Sequence, residues 1–231
     1  MARKHYDLPG TAPLGASPAD DVTAGMNDER QGGSALRFVR EVLETVLLTA
    51  LIFFAVRAVV GNYVVDGHSM DPNLQNGEYL FVNRAVYYHF DRNALLNLIP
   101  GQHHQGQDIV YLFHPPQRGD IVVLNPPVTT DKPYVKRVIG VAGDTIAIHN
   151  SRVFVNGEAL NEPYIAQEPQ YVYPHDGSAV FTVPPGMVFV LGDNRNNSND
   201  SHIFGPVALD EIVGKTVAAY WPPHDIGLIR H

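Results

Sequence analysis

The chain has 231 residues with 45% hydrophobic content, enough for one globular domain carrying a smaller embedded region. Sixteen basic residues against twenty-four acidic ones leave a net charge of −8, which argues against nucleic acid as the principal partner. Cysteine is absent, so disulfides, thiolate catalysis and Cys-ligated zinc are excluded, while eighteen Pro and twenty Gly favour short elements joined by turns.

Residues 1–33 are rich in Gly, Pro, Ala, Ser and charge with no apolar period, and read as a flexible cytoplasmic tail. Residues 34–60 read as a membrane anchor. No charged residue occurs from Thr45 to Val56, and Glu44 and Arg57 stand near the two ends, where long side chains reach the interface. A buried core helix or a cleavable signal peptide would show a similar run. The long polar stretch before it and the lack of an A-x-A site after it favour a retained anchor. Arg30, Arg37 and Arg40 precede the apolar run, so the positive-inside bias puts the N-terminus in the cytoplasm and the bulk of the chain outside.

Beyond Gly61 the pattern changes to strands. "NYVVDG", "EYLFVNR", "GDIVVLN", "YVKRVIGV", "DTIAIH", "RVFVNG", "AVFTV", "MVFVLG" and "KTVAAYW" are short, β-branched or aromatic, and bounded by Gly, Pro, Asn or Asp. "IAIHNSRVFVNG" predicts a hairpin turning at Asn150–Ser151, with a second turn at Asn156–Gly157. "DRNALLNL" predicts a helix capped by Asp91, and "ALDEI" a short one. The fold class is therefore mainly β: a single N-terminal transmembrane helix, then an extracytoplasmic β-domain over 61–231 with an inserted β region at roughly 146–188. The chain from Val60 to Ser69 spans at most ~30 Å when extended, which keeps Ser69 close to the membrane surface.

Three segments concentrate chemistry. "GHSMDPNL" (67–74) presents Ser69; His68 beside it points to the opposite face of an extended strand and reads as exposed or packing. In "KPYVKRVIGVAGD" (132–144), Tyr134, Lys136 and Val138 share one strand face and Val135, Arg137 and Ile139 the other. Burial would lower the pKa of Lys136 and make it a usable base for a serine hydroxyl; from the strand alone, a lysine snorkelling off an edge fits as well. In "LGDNRNNSNDSHIFGPV" (191–207), Asp, Asn and Ser crowd a loop that lacks the calcium-loop spacing and can be a self-hydrogen-bonded turn.

Taken in order, "GHSMDPNL", "RGDIVVL", "YVKRVIGVAGD" and "GDNRNNSNDSHIFGPV" resemble the successive signature boxes of type I signal peptidases, over about residues 35–220. The resemblance implies an all-β catalytic domain using a Ser/Lys dyad, with no cofactor and no metal. It assigns Ser69 as nucleophile and Lys136 as general base. Ser198 becomes the serine that hydrogen-bonds and orients the lysine, and Arg137 and Asp200 the polar support. The implied partners are exported preproteins, cut after small residues, and the lipid bilayer of the plasma membrane. Tyr63, Val65, Asp66 and Met70 are the candidate substrate-binding residues, with Tyr63–Asp66 pairing the extended substrate as an added strand.

The sequence departs from the family pattern in places. Gly67 holds a position where some members carry a serine that adds an oxyanion donor. His202 stands where Asp200 would be expected to face an arginine, and Asn73 replaces a threonine. The Ala85–Gln117 stretch is longer than in the simplest members, and its apolar residues can either dip into the membrane interface or pack on the core. A non-catalytic membrane-anchored β-module and a self-cleaving Ser/Lys regulator are the competing classes.

Overall fold

The computed structural model describes residues 22–106, 108–130 and 132–229. Positions 1–21 of the expected tail lie outside the described residues. From Val22 onward the backbone is helical, so α1 (Val22–Val59) starts before the position 34 expected of the anchor. Once nucleated, a helix adds one hydrogen bond per residue, so it extends past the apolar stretch that motivated it.

Two compact units divide at Phe54/Ala55. The first is the helix. Leu36–Val59 is long and apolar enough to cross a membrane: 24 residues rise ~36 Å against a ~30 Å hydrocarbon core. Leu51 and Phe54 are exposed along it. Several polar side chains are satisfied within the helix: Arg40 pairs with Glu44 at 2.7 Å, and the Thr45 and Thr49 hydroxyls donate to the carbonyls of Glu41 and Thr45, each at 2.8 Å. Lipid demands that kind of internal satisfaction.

The second unit is β-rich. Its strands are β1 (Val60–Val64), β2 (Tyr79–Asn83), β3 (His89–Asp91), β4 (Ile109–Tyr111), β5 (Ile121–Leu124), β6 (Tyr134–Val141), β7 (Thr145–His149), β8 (Arg152–Val155), β9 (Glu158–Ala159), β10 (Phe181–Thr182), β11 (Met187–Leu191), β12 (Val207–Ala208), β13 (Ile212–Trp221) and β14 (Gly227–Leu228). Two short helices, α2 (Arg92–Leu96) and α3 (Ser201–Phe204), interrupt them. The main sheet runs β1-β2-β13-β5-β6-β11-β12, with β14 on β13; a second sheet runs β10-β7-β8-β9, and β3 pairs with β4 alone. The strands of the second sheet lie between Thr145 and Thr182, against roughly 146–188 expected of the inserted region.

Several local expectations hold for chemical reasons. Asn150 and Ser151 turn β7 into β8 with φ of 49° and 58°, and Asn156 and Gly157 turn β8 into β9 with 55° and 82°. Such positive φ values are those a two-residue hairpin with the right strand twist requires. Asp91 caps α2 by accepting from Asn93 N–H at 2.9 Å. "ALDEI" forms only a 3-10 turn over Leu209–Glu211.

The snorkelling alternative for Lys136 fails on topology. β6 is an interior strand between β5 and β11, and it is covered on both faces: Lys136, Arg137, Val138, Ile139 and Gly140 are all buried. Val122, Val138 and Val190 pack on one side, Ile139, Phe189 and Leu191 on the other. A strand in the middle of the sheet with both faces covered gives a lysine no free edge from which to extend into bulk solvent.

Candidate active site

Residues 65–78 form the connection between β1 and β2 and carry Ser69 on a tight turn. Gly67 there has φ +104°, a backbone region that favours glycine, which explains the glycine at this place: a side chain would be strained. Its N–H donates to Asn76 Oδ1 at 2.8 Å. The turn is then pinned from the far side of the fold. Asn194 N–H donates to the Ser69 carbonyl at 3.0 Å, and Asn194 Nδ2 to the His68 carbonyl at 2.9 Å. His68 itself is exposed and pairs with Asp71, so it plays no part with Ser69.

Lys136 reaches this turn from β6. Its Nζ lies 2.6 Å from Ser69 Oγ and donates to its own neighbour's carbonyl, Val135 O, at 3.0 Å. The side chain is 3% exposed, and burial pulls the ammonium down to about 8, against the opposing fields of the Asp200 and Asp193 carboxylates. Desolvation wins because a charge stripped of water loses more than two carboxylates at a distance return.

Ser198 departs from expectation. The Ser198–Lys136 hydrogen bond is not made; the Ser198 hydroxyl is buried and has no hydrogen-bond partner among the described residues. It packs instead against Gly192, where an added Cβ would overlap both Ser198 Oγ and the Ser69 carbonyl oxygen. The lysine is already held by Ser69 and by Val135, which leaves it one remaining donor for any further partner.

Asp200 is fully buried and caps α3. Its Oδ2 accepts from Gly192 N–H at 2.9 Å, and its Oδ1 lies 2.6 Å from His202 Nδ1. The His202 ring stacks on Tyr171 at 4.0 Å, so the imidazole is fixed by packing as well as by the carboxylate. Arg137, on the opposite face of β6 from Lys136, makes a two-pronged pair with Asp193: Nε to Oδ1 at 2.8 Å and Nη2 to Oδ2 at 2.7 Å. Both side chains are essentially solvent-free, and the guanidinium lies 4.0 Å over the Tyr164 ring. Asn73 Nδ2 donates to Asp193 Oδ2 at 2.8 Å and to the Tyr164 carbonyl at 2.7 Å, tying the turn to this pair.

Beside the Ser69–Lys136 contact lies a cleft of about 950 Å³, lined by the 62–70 segment, the start of β6 and Asn197 and Asn199. Tyr63, Val65, Asp66 and Met70 all reach its wall. Val65 and Met70 are nearly solvent-free, so they floor the cleft rather than project into it, whereas Val64 is half exposed. β1 is the edge strand of the main sheet. Val65 pairs towards β2, donating to the Glu78 carbonyl at 2.8 Å, so the amides and carbonyls of Val64 and Asp66 turn to the open side. Asp66 also meets Lys132 across the cleft mouth at 2.5 Å. Among the described residues, no group of three or more His, Asp or Glu is arranged to hold a metal ion.

Comparison with known proteins now adds the family. The family model described as signal peptidase, peptidase S26, matches residues 39–221. The chain belongs to that family. Among its relatives, a signal peptidase I of Bacillus caldolyticus is 39% identical over 71% of this chain and 81% of its own length. A signal peptidase I S of Bacillus subtilis is 34% identical over 82% and 90%. A signal peptidase IB of Staphylococcus aureus is 32% identical over 79% and 91%. The signal peptidase resemblance read from the four ordered motifs is borne out, and with it the assignment to the serine peptidases.

Asp193, Asn194, Gly192 and Asn73 carry much of the scaffold, and motif reading assigned none of them a role. Asn73 stood out as a departure, and the other three lie in the Asx-rich 191–207 loop. Asp193 meets Arg137 56 residues away and Asn73 120 away, and Gly192 and Asn194 meet the 68–69 turn more than 120 residues away, where no local spacing points.

Proposed function

We propose that this chain is a membrane-anchored serine endopeptidase that removes signal peptides from exported preproteins, with Ser69 as nucleophile and Lys136 as general base. The observation that carries the reading is the 2.6 Å approach of Ser69 Oγ to a buried lysine whose ammonium titrates near 8. Such an amine is substantially neutral near pH 8, so its lone pair accepts the Ser69 hydroxyl proton as Oγ bonds to the scissile carbonyl carbon. The Ser69 N–H supports the developing oxyanion, with backbone alone supplying this side of the hole because position 67 is glycine. Collapse breaks the C–N bond, and the lysine returns its proton to the leaving amine. A water then gives a proton to the same lysine as it attacks the ester carbonyl carbon. The C–Oγ bond breaks, the acyl group leaves as its acid, and the lysine returns the proton to Ser69 Oγ.

Asp200, held by Gly192 N–H and His202, fixes the loop that seats Asn194 on the nucleophile's turn. The free edge of β1 suits an extended substrate added as a strand, with Val64 and Asp66 offering backbone groups. With α1 crossing the plasma membrane from a cytoplasmic N-terminus, this cleft sits outside, within reach of a substrate whose own apolar segment is in the bilayer. A non-catalytic module is the weaker reading, because a binding surface gains nothing from burying a lysine against a serine.

The test is cleavage of a preprotein with a small-x-small site by the full chain in detergent or vesicles. Wild type cleaves, chelator leaves the rate unchanged, and Ser69→Ala is inactive; retained cleavage by Ser69→Ala would reject the nucleophile. A second expectation concerns Gly192. Gly192→Ala forces the Ser69 carbonyl away, so kcat falls ~100-fold through misplacement of Oγ, while the chain stays folded. Steady-state kinetics beside circular dichroism checks this, and an unchanged kcat would show that the turn tolerates the shift.

A further inference from the structure

The Ala85–Gln117 segment builds a feature of its own. β3 and β4 pair as a two-stranded ribbon with register His89↔Tyr111, Phe90↔Val110 and Asp91↔Ile109, capped by α2. One face is tied down: His89 Nε2 lies 2.9 Å from Asp210 Oδ1, and the His89 and Tyr111 rings meet at 5.2 Å. The other face is open. Leu112 N–H donates to the Tyr88 carbonyl, which sets these two side chains opposite each other, and both are exposed. Phe113 is 68% exposed, and beyond the ribbon Leu98 is 78% exposed and Ile99 about half. So many exposed apolar side chains within one short segment point to an interaction surface.

Two observations choose its occupant. The ribbon grows out of the residue after β2, and Arg84 N–H donates to the carbonyl of Val59 at 2.8 Å, so its root is bonded to the last residue of the apolar span. The segment is also nearly uncharged in effect. Arg92 pairs with Asp108, and Asp91 is spent capping α2 and accepting from Asp108 N–H at 3.0 Å. A surface with apolar and aromatic side chains, a single carboxylate outside an ion pair (Asp91, held by backbone N–H groups) and a root at the end of a membrane span fits the headgroup–acyl boundary. We propose that the 85–117 ribbon is a second membrane contact, seating Tyr88, Leu98, Ile99, Leu112 and Phe113 in the interface of the bilayer that α1 crosses. This rests on the reading of α1 as a membrane span. Because no basic surplus is involved, the contact is driven by apolar burial and is indifferent to lipid charge.

The absence of cysteine makes the test direct, since one introduced thiol reports one site. Full-length Leu98→Cys, Leu51→Cys and, at an exposed position outside both the helix and the ribbon, Gln167→Cys carry an environment-sensitive fluorophore in phosphatidylcholine vesicles, with and without phosphatidylglycerol and with spin-labelled lipids as quenchers. The expected result is a blue-shifted Leu98 probe quenched several-fold more than the Gln167 probe by shallow quenchers, equally in both lipid mixtures. The Leu51 probe responds most to deep quenchers. A quenched Leu51 probe with a Leu98 probe that emits like the one at Gln167 overturns the ribbon contact and leaves the anchor standing. An unquenched Leu51 probe removes the anchor and the ribbon contact together. A Leu98 probe shifted without lipid quenching, and reverting on dilution to one copy per vesicle, overturns the proposal in favour of pairing between copies.

Discussion

Lys136→Met is expected to abolish cleavage and, at neutral pH, to make the folded protein more stable. The loss of activity follows from removing the proposed proton acceptor at 2.6 Å from Ser69 Oγ, and a fall of ~1,000-fold or more in kcat is anticipated. The gain in stability follows from the same burial. The folded-state pKa of Lys136 lies at about 8 against an unfolded value near 10.5, a difference of about 3 kcal/mol when the amine must be charged in both states. The sign is fixed by proton binding. Between about 8 and 10.5 the unfolded chain holds a proton that the folded chain has released, so wild-type stability rises with pH across that window and is lowest below it. Methionine fills a similar volume without the charge, so the advantage of Lys136→Met is greatest at pH 7 and shrinks as pH climbs towards 10.5. Urea denaturation of both proteins at pH 7 and pH 10 reads it. A variant equally destabilised at both pH values would show that the lysine is not paying a desolvation cost. The wild-type kcat/KM should rise with an apparent pKa near 8 for the same reason.

Asp193→Ala has the second large expected effect. It strands the Arg137 guanidinium in a site where the two partners are 2% and 0% exposed, and a buried charge losing its partner costs about 3–5 kcal/mol. The Gly119 carbonyl and the Tyr164 ring remain as contacts, and neither carries a compensating charge. Arg137→Met combined with Asp193→Leu removes both charges and should recover most of that loss, since a well-packed apolar pair is often as stable as a buried ion pair. A double-mutant cycle by urea denaturation measures the coupling. Additive single effects would show the pair to be energetically independent. Folded Asp193→Asn gives a separate readout: the Asp193 field raises the Lys136 pKa, so its loss moves the rising limb of the pH–rate profile to lower pH. Cleavage by the double variant should stay impaired even where stability returns, because Asn73 then loses the carboxylate that ties the Ser69 turn to β6.

Much of this protein was legible in local sequence because local chemistry decides it. The apolar run that becomes α1, the hairpin turns at Asn150–Ser151 and Asn156–Gly157, the Asp91 cap and the strand character of 134–141 each follow from neighbours a few residues apart. Four ordered motifs were enough to place the chain in its family. Which face of β6 Lys136 occupies was also legible, since strand periodicity alone separates it from Arg137. Whether that face is dry was not. Burial of Lys136 depends on β5 and β11 lying on either side of β6, which is a property of sheet order, and strand order is set by packing between segments far apart in sequence. The same holds for the site's supports. Asn194 on the Ser69 carbonyl, Asn73 on Asp193 and Gly192 against the Ser69 carbonyl are meetings of surfaces, made where a side chain fits or must be missing. Sequence determined which residues can do the chemistry; the tertiary structure alone decided that Lys136 loses its water beside Ser69, because desolvation belongs to the surrounding fold and not to the residue.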